Sequence, residues 1–191
     1  MSVKRSLTGR QSTQEASGEA AALTIQVVAG VGFGPTKLAA FDSALREAGI
    51  ADRNLVPLSS IIPAGALVET PEGKGEAPGK WGDRLYVVMA QSRVDTRYEE
   101  AVAGLGWMQE TGNGRGVFVE HVGHTEREVR RDVLATLGAL AEGRPDVRFG
   151  APELVIRTTV CAGEPSCAVV AAVFEADPWR GDEVIDLTER D

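Results

Sequence analysis

Two adjacent serines, Ser59 and Ser60, stand between an apolar run and a pair of isoleucines in Asn54-Leu55-Val56-Pro57-Leu58-Ser59-Ser60-Ile61-Ile62-Pro63. Proline biases the residue before it toward β or polyproline geometry and has no amide hydrogen. The serines are therefore expected in stiff, extended backbone rather than in a turn. A serine hydroxyl held beside the preceding carbonyl can attack it and turn the amide into an ester, provided the geometry is fixed and a donor meets the developing oxyanion. Asn54 is a candidate for that donor. β-Elimination of the ester oxygen would free a chain ending at Ser59 and leave dehydroalanine at position 60, which hydrolyses to a pyruvoyl group. The plainer reading of the pair is that it ends a strand.

The elements that must position these residues can be read from periodicity. Alternation in Leu23-Thr24-Ile25-Gln26-Val27-Val28 predicts the first strand. Gly30-Val31-Gly32-Phe33-Gly34 follows, then a helix capped by Thr36 with Leu38, Phe41, Leu45 and Ala48 on one face. This order departs from the G-x-G-x-x-G dinucleotide fingerprint, and no later βαβ series supports one. The glycines are expected instead to let backbone approach closely around a pocket. After Gly49 come the strand carrying the serines, a short strand at 66–69 and a Pro/Gly-rich surface loop at 70–82. Arg84–Ala90 reads as a buried strand. Tyr98–Met108 reads as a strand of small residues, because two glycines disfavour a helix there. Gly116–Val122 follows the Gly112-Asn113-Gly114 turn as another strand. Thr125-Glu126-Arg127-Glu128 is a capping box opening a helix, with Val129, Val133, Leu134, Leu137 and Leu140 inward and Gly143 at its end. Leu154–Cys161 and Cys167–Phe174 form a closing hairpin. Two helices against six or seven strands predict an α+β sandwich in one domain over 22–176. A disordered tail is expected at 1–21 and a loose acidic tail at 177–191.

Composition narrows the chemistry. Acids outnumber bases 28 to 20, a net charge of −8, with a pI near 4.9. That balance speaks against nucleic-acid partners. It suits capture of a cationic small molecule, although it also serves solubility. No apolar run approaches the ~18 residues of a membrane span, and no signal-type core opens the chain, so no membrane and a cytoplasmic location are expected. Cys161 and Cys167 flank a Gly-Glu-Pro turn; they could face each other, but a reduced pair is expected in that compartment. A C-x5-C pair is a poor zinc site, and His121 and His124 lack companion ligands, so no metal is expected. Lys37, Lys74 and Lys80 sit in loops or at a helix start, which argues against a lysine-bound PLP. Trp81, Trp107 and Trp179 read as packing or interface residues.

Val28-Ala29-Gly30, Leu38-Ala39-Ala40-Phe41-Asp42-Ser43-Ala44-Leu45, Ala48-Gly49-Ile50, Asn54-Leu55 and Ser59-Ser60-Ile61-Ile62-Pro63 fall in one order at one spacing. With Gly116–Gly123 added, the chain resembles the pyruvoyl-dependent arginine decarboxylases over roughly residues 24–175. The resemblance implies an αββα layered sandwich, self-cleaved between Ser59 and Ser60, with a covalent pyruvoyl group made from Ser60. It also implies a homotrimer of cleaved protomers, or a dimer of such trimers, with active sites at subunit boundaries and arginine converted to agmatine and CO₂.

Decarboxylation leaves a carbanion at Cα, for which the pyruvoyl group is the electron sink that PLP provides elsewhere. A positioned acid must then return a proton. On an extended strand Glu120 shares a face with Phe118 and Val122, flanks that would desolvate its carboxyl and raise its pKa. The family's acid falls in the same Gly-Val-Phe-Val-Glu stretch; the alternative is a surface glutamate on an edge strand. Asp42 falls where the family holds the substrate guanidinium, at the margin of the buried helix face; otherwise it is a solvated helix carboxylate. Leu38, Leu45 and Ile61 are the apolar residues assigned to the substrate. Pro57, the loop at 69–83 and both termini depart from the family pattern. Decarboxylation of another amino acid such as histidine stands as an alternative, as does an unprocessed homologue acting as a trimeric binding protein.

Overall fold

An unbroken buried run of nine residues, Ser166–Phe174, lies in a strand that is covered on both faces. The computed structural model describes residues 22–73, 75 and 77–179, so the tail expected at 1–21 and residues 180–191 lie outside the described part. The elements are β1 Thr24–Phe33, α1 Lys37–Ala48, β2 Asn54–Pro57, β3 Ile61–Ile62, β4 Leu67–Glu69, β5 Arg84–Val94, β6 Glu100–Gln109, β7 Gly116–Gly123, α2 Glu126–Glu142, β8 Glu153–Val160 and β9 Ser166–Asp177. They form a five-stranded sheet in the order β2-β5-β9-β1-β4 and a four-stranded sheet in the order β3-β7-β6-β8. β9 is antiparallel to β1 and β5, while the short β2 and β4 pair in parallel with β5 and β1.

Three apolar clusters give four layers. Ile25, Val27, Val88, Ala103, Leu105, Trp107, Phe118, Val170 and Phe174 fill the space between the sheets. Ala40, Ala44, Leu45 and Ala48 of α1 pack with Val87, Val169 and Ala171 on the outer face of the first sheet. Val129, Val133 and Leu137 of α2 pack with Val102, Val117 and Val119 on the outer face of the second. Each of these fully buried α2 side chains contributes roughly 1.5–3 kcal/mol relative to exposure. The molecule is thus α+β with a helix outside each sheet.

Both helices begin where the sequence places them. Thr36 Oγ1 accepts the Ala39 N–H at 3.1 Å, and Gly49 ends α1 in the left-handed region at φ 81°. Thr125 Oγ1 accepts the Glu128 N–H at 3.2 Å, and Glu128 reaches back to the His124 N–H at 3.3 Å. The inward faces differ in detail: Leu38 is 67% exposed and Leu134 is exposed, so the small residues Ala40, Ala44 and Ala48 seat α1 instead. The close approach expected at Gly30 and Gly32 is to α1 itself and not to a pocket. A Cβ at Gly32 would collide with Ala40 O and Ala44 N, and one at Gly30 with Ala44 O. Asp177, expected to begin a loose tail, instead ends β9 and pairs with Arg84 at 2.6 Å, while Trp179 Nε1 donates to Gly82 O at 2.9 Å. Cys161 and Cys167 are buried free thiols. Among the described residues no helix is long and apolar enough to cross a membrane.

Candidate active site

The two sheets exchange the chain at the serines. β2 runs on the edge of the first sheet, and its continuation is held by Leu58 N–H donating to Val87 O at 2.9 Å. Two residues later the chain belongs to the second sheet: Ser60 O accepts the Phe118 N–H at 2.8 Å, and Ile61 and Ile62 pair with Val117 and Gly116. The Ser59–Ser60 bond therefore spans the gap between two anchored segments. Extended backbone was expected here, but the crossover forces a bend, and Ser60 adopts φ 65°. A non-glycine residue in this left-handed region costs roughly 1–3 kcal/mol and persists only where its surroundings impose it.

The Ser60 hydroxyl donates to Glu120, with Oγ 2.9 Å from Oε2 and 3.1 Å from Oε1. β7 delivers this carboxylate by alternation. Phe118 points into the inter-sheet core, where it meets Trp107 and Phe174, and Glu120 follows two residues on at the open margin. On the opposite face His121 Nε2 lies 2.9 Å from Thr136 Oγ1 of α2. Glu120 lines a cavity of about 220 Å³ with Met89, Gln91, His121 and Val122. The desolvation expected from its flanks is not met within one chain, because Glu120 is exposed and Val122 is 52% exposed.

The remaining residues singled out in the sequence lie elsewhere. Asn54 opens β2, where its amide donates to Gly82 O at 2.5 Å. The extended strand between Asn54 and Ser59 separates them by on the order of 15 Å, too far for the proposed oxyanion contact within one chain. Asp42 sits on α1, partly buried and paired with Arg46 at 2.7 Å. Leu45 is buried in the cluster between α1 and the first sheet, whereas Leu38 and Ile61 are exposed. Ile61 borders a separate cavity of about 170 Å³ with Arg115, Arg144 and Phe149. Among the described residues no hydrogen bond or ion pair joins α1 to Ser60 or Glu120. One chain thus brings Ser60 and Glu120 together and holds Asp42 and Leu38 on α1, away from them.

Sequence reasoning missed two features. Arg93 of β5 stacks on Phe41, next to Asp42, at 3.8 Å from the ring centre, and holds Gln91 Oε1 at 2.5 and 2.9 Å. Its signal is the i, i+2 spacing of Gln91 and Arg93 on one strand face. The Asp42–Arg46 pair was likewise visible as an i, i+4 spacing. Among the described residues no cluster of three or more His, Cys, Asp or Glu could hold a metal ion.

Comparison with known proteins finds relatives over most of the chain. The family described as pyruvoyl-dependent arginine decarboxylase matches residues 24–177. A pyruvoyl-dependent arginine decarboxylase of Halobacterium salinarum is 35% identical over 159 residues, covering 81% of this chain and 96% of its own. One from Methanothermobacter thermautotrophicus is 31% identical over 158 residues, covering 81% and 97%. One from Pyrococcus horikoshii is 33% identical over 151 residues, covering 78% and 91%.

Proposed function

The chain belongs to the pyruvoyl-dependent arginine decarboxylase family, and from that membership we propose that it cleaves itself between Ser59 and Ser60 and converts L-arginine to agmatine and CO₂. The observation that carries the proposal is the Ser60–Glu120 contact at the strained crossover. It sets a nucleophilic hydroxyl, a carboxylate and a taut peptide bond at one point.

In self-cleavage the Ser60 oxygen adds to the Ser59 carbonyl carbon, the C–N bond breaks, and the amide becomes an ester. Loss of the Cα proton and of the ester oxygen from Cβ frees a chain ending in the Ser59 carboxylate. Water then releases ammonia and leaves the pyruvoyl group at position 60. The site fits that group: its precursor already lies beside Glu120, and Phe118 N–H holds its carbonyl. When present, the group supplies the electron sink for the carbanion left by CO₂.

The chain's own residues do the rest. Glu120 returns the proton to the substrate Cα from the carboxyl that now meets Ser60 Oγ. Asp42, reaching the site from a neighbouring copy in a homotrimer, takes the substrate guanidinium, and Leu38 and Ile61 cover its methylenes. Leu45, buried beneath α1, supports that face from behind. Asn54 serves processing by fixing the start of β2 on Gly82 O, which keeps the serine segment taut; Asn54→Ala is expected to slow cleavage. The test is conversion of arginine to agmatine without added PLP, with borohydride plus substrate trapping an adduct on the fragment that begins at position 60. Ser60→Ala is expected to stay whole and inactive. Turnover by uncleaved protein would refute the mechanism, and turnover of histidine in place of arginine would reassign the substrate.

A further inference from the structure

We propose that Arg46 is an internal competitor for the substrate: its guanidinium occupies Asp42 while the site is empty, and arginine binds by displacing it. The proposal rests on the reading that Asp42 receives the substrate guanidinium. Arg46 Nη2 lies 2.7 Å from Asp42 Oδ2. The group found on Asp42 is therefore chemically the end of the proposed substrate, a planar fork of donors on an aliphatic stem. Pairing is the default on this helix, because an acid four residues before an arginine shares its face. Arg46 also stands in the last turn of α1, where the helix dipole favours a cation.

The pair is built to exchange. Within one chain its side chains are 67% and 48% exposed, so water screens the pair and leaves it weak. Glu47, the other acid of α1, is held at both oxygens, by Val31 N–H at 3.2 Å and by Arg157 at 3.0 Å. A displaced Arg46 has somewhere to go. It lines a cavity of about 490 Å³ together with Asp52, which offers it a second carboxylate. Arg53 lines the same cavity but is fixed by the carbonyls of Ala51, Ala77, Pro78 and Gly79 at 2.7–3.3 Å. Of the two arginines there, Arg46 is the one free to move.

The competitor sets the concentration of arginine at which the site fills. Arg46→Ala and Arg46→Gln, assayed as self-cleaved protein, should each lower KM for arginine about 2–5-fold, the range expected for releasing an exposed ion pair. The change should be carried by KM and not by kcat, and inhibition by agmatine should tighten by the same factor. In an Asp42→Asn background Arg46→Ala should do nothing, because no carboxylate remains to compete for. Circular dichroism and completion of the Ser59–Ser60 cleavage identify a variant that misfolds, and Arg46→Gln keeps the stem and the helix propensity. An unchanged or raised KM in both folded variants, with Asp42→Asn alone still impairing arginine, would leave Asp42 as the guanidinium site and overturn the competitor. Full activity in Asp42→Asn would remove the underlying reading and the competitor with it.

Discussion

Ser60 is fixed from three directions: by its carbonyl on Phe118 N–H, by its hydroxyl on Glu120, and by a left-handed backbone between two sheet edges. If Glu120 is the acid that reprotonates Cα, Glu120→Gln should still cleave but lose kcat by about 10²–10⁴-fold. Single-turnover CO₂ release beside agmatine formation would separate that step from decarboxylation, and wild-type agmatine rates in the variant would exclude Glu120. Asp42→Asn should cost about 10–150-fold in kcat/KM for arginine, since a charge-assisted bond is discarded while the shape is kept. Citrulline, which is uncharged, should lose much less; equal losses would make Asp42 a structural residue. Both residues could be named from the sequence, because their types and motif positions are local information. Their surroundings could only in part. The Ser60–Glu120 contact spans 60 positions and exists only because the chain changes sheets at the serines. The partner of Asp42 is readable as the arginine one turn on along its own helix, but that spacing does not say how this face of α1 stands to Ser60.

Glycines decide how the helices sit on the sheets. At Gly32 an added Cβ would meet the α1 backbone, and at Gly104 it would meet Cγ1 of Val129 of α2, a fully buried β-branched side chain with no spare rotamer to turn into. Gly32→Ala and Gly104→Ala should therefore each destabilise by about 1–3 kcal/mol or more, as read from denaturant unfolding. Wild-type stability in either variant would contradict the close approach of that helix to its sheet. β9 carries a second prediction. Burial pushes the Cys167 thiol up to about 11 from a usual 9.0, although the Arg93 guanidinium pulls it partly back. Because the folded state holds this proton more tightly, its contribution is complete below about pH 9 and is lost as pH rises toward about 11. Cys167→Ala should flatten that stretch of the stability profile, and an unaltered profile would exclude the thiol as its source. Strands and caps were legible because alternation, Thr-x-x-Glu and glycine stops act over a few residues. The glycine partner was not, since a glycine signals that something comes close without saying what.

Read by periodicity, the whole chain yields two helices and a set of strands, an α+β sandwich and no more. The four-layer order came from the family resemblance and not from periodicity, because which face of each sheet a helix covers depends on pairings such as β1 with β9, about 140 residues apart along the chain. Subunit assembly belongs to this scale too, since one chain holds Ser60 with Glu120 and keeps Asp42 on α1, away from them. If Asp42 acts on a neighbour's Ser60 site, co-expressing Asp42→Asn with Glu120→Gln should restore native sites at about a quarter of the interfaces. Sedimentation should give a trimer or a multiple of three. No restored activity would place both residues in one chain's site. The most direct test of the central claim is an intact-mass spectrum of purified wild-type protein. It should show a fragment of the first 59 residues ending in a free carboxylate and a fragment of the remaining 132. The larger should be lighter, by one ammonia, than hydrolysis of the same bond would leave. A single intact 191-residue chain with decarboxylase activity, or a larger fragment still carrying an ordinary N-terminal serine, would contradict it.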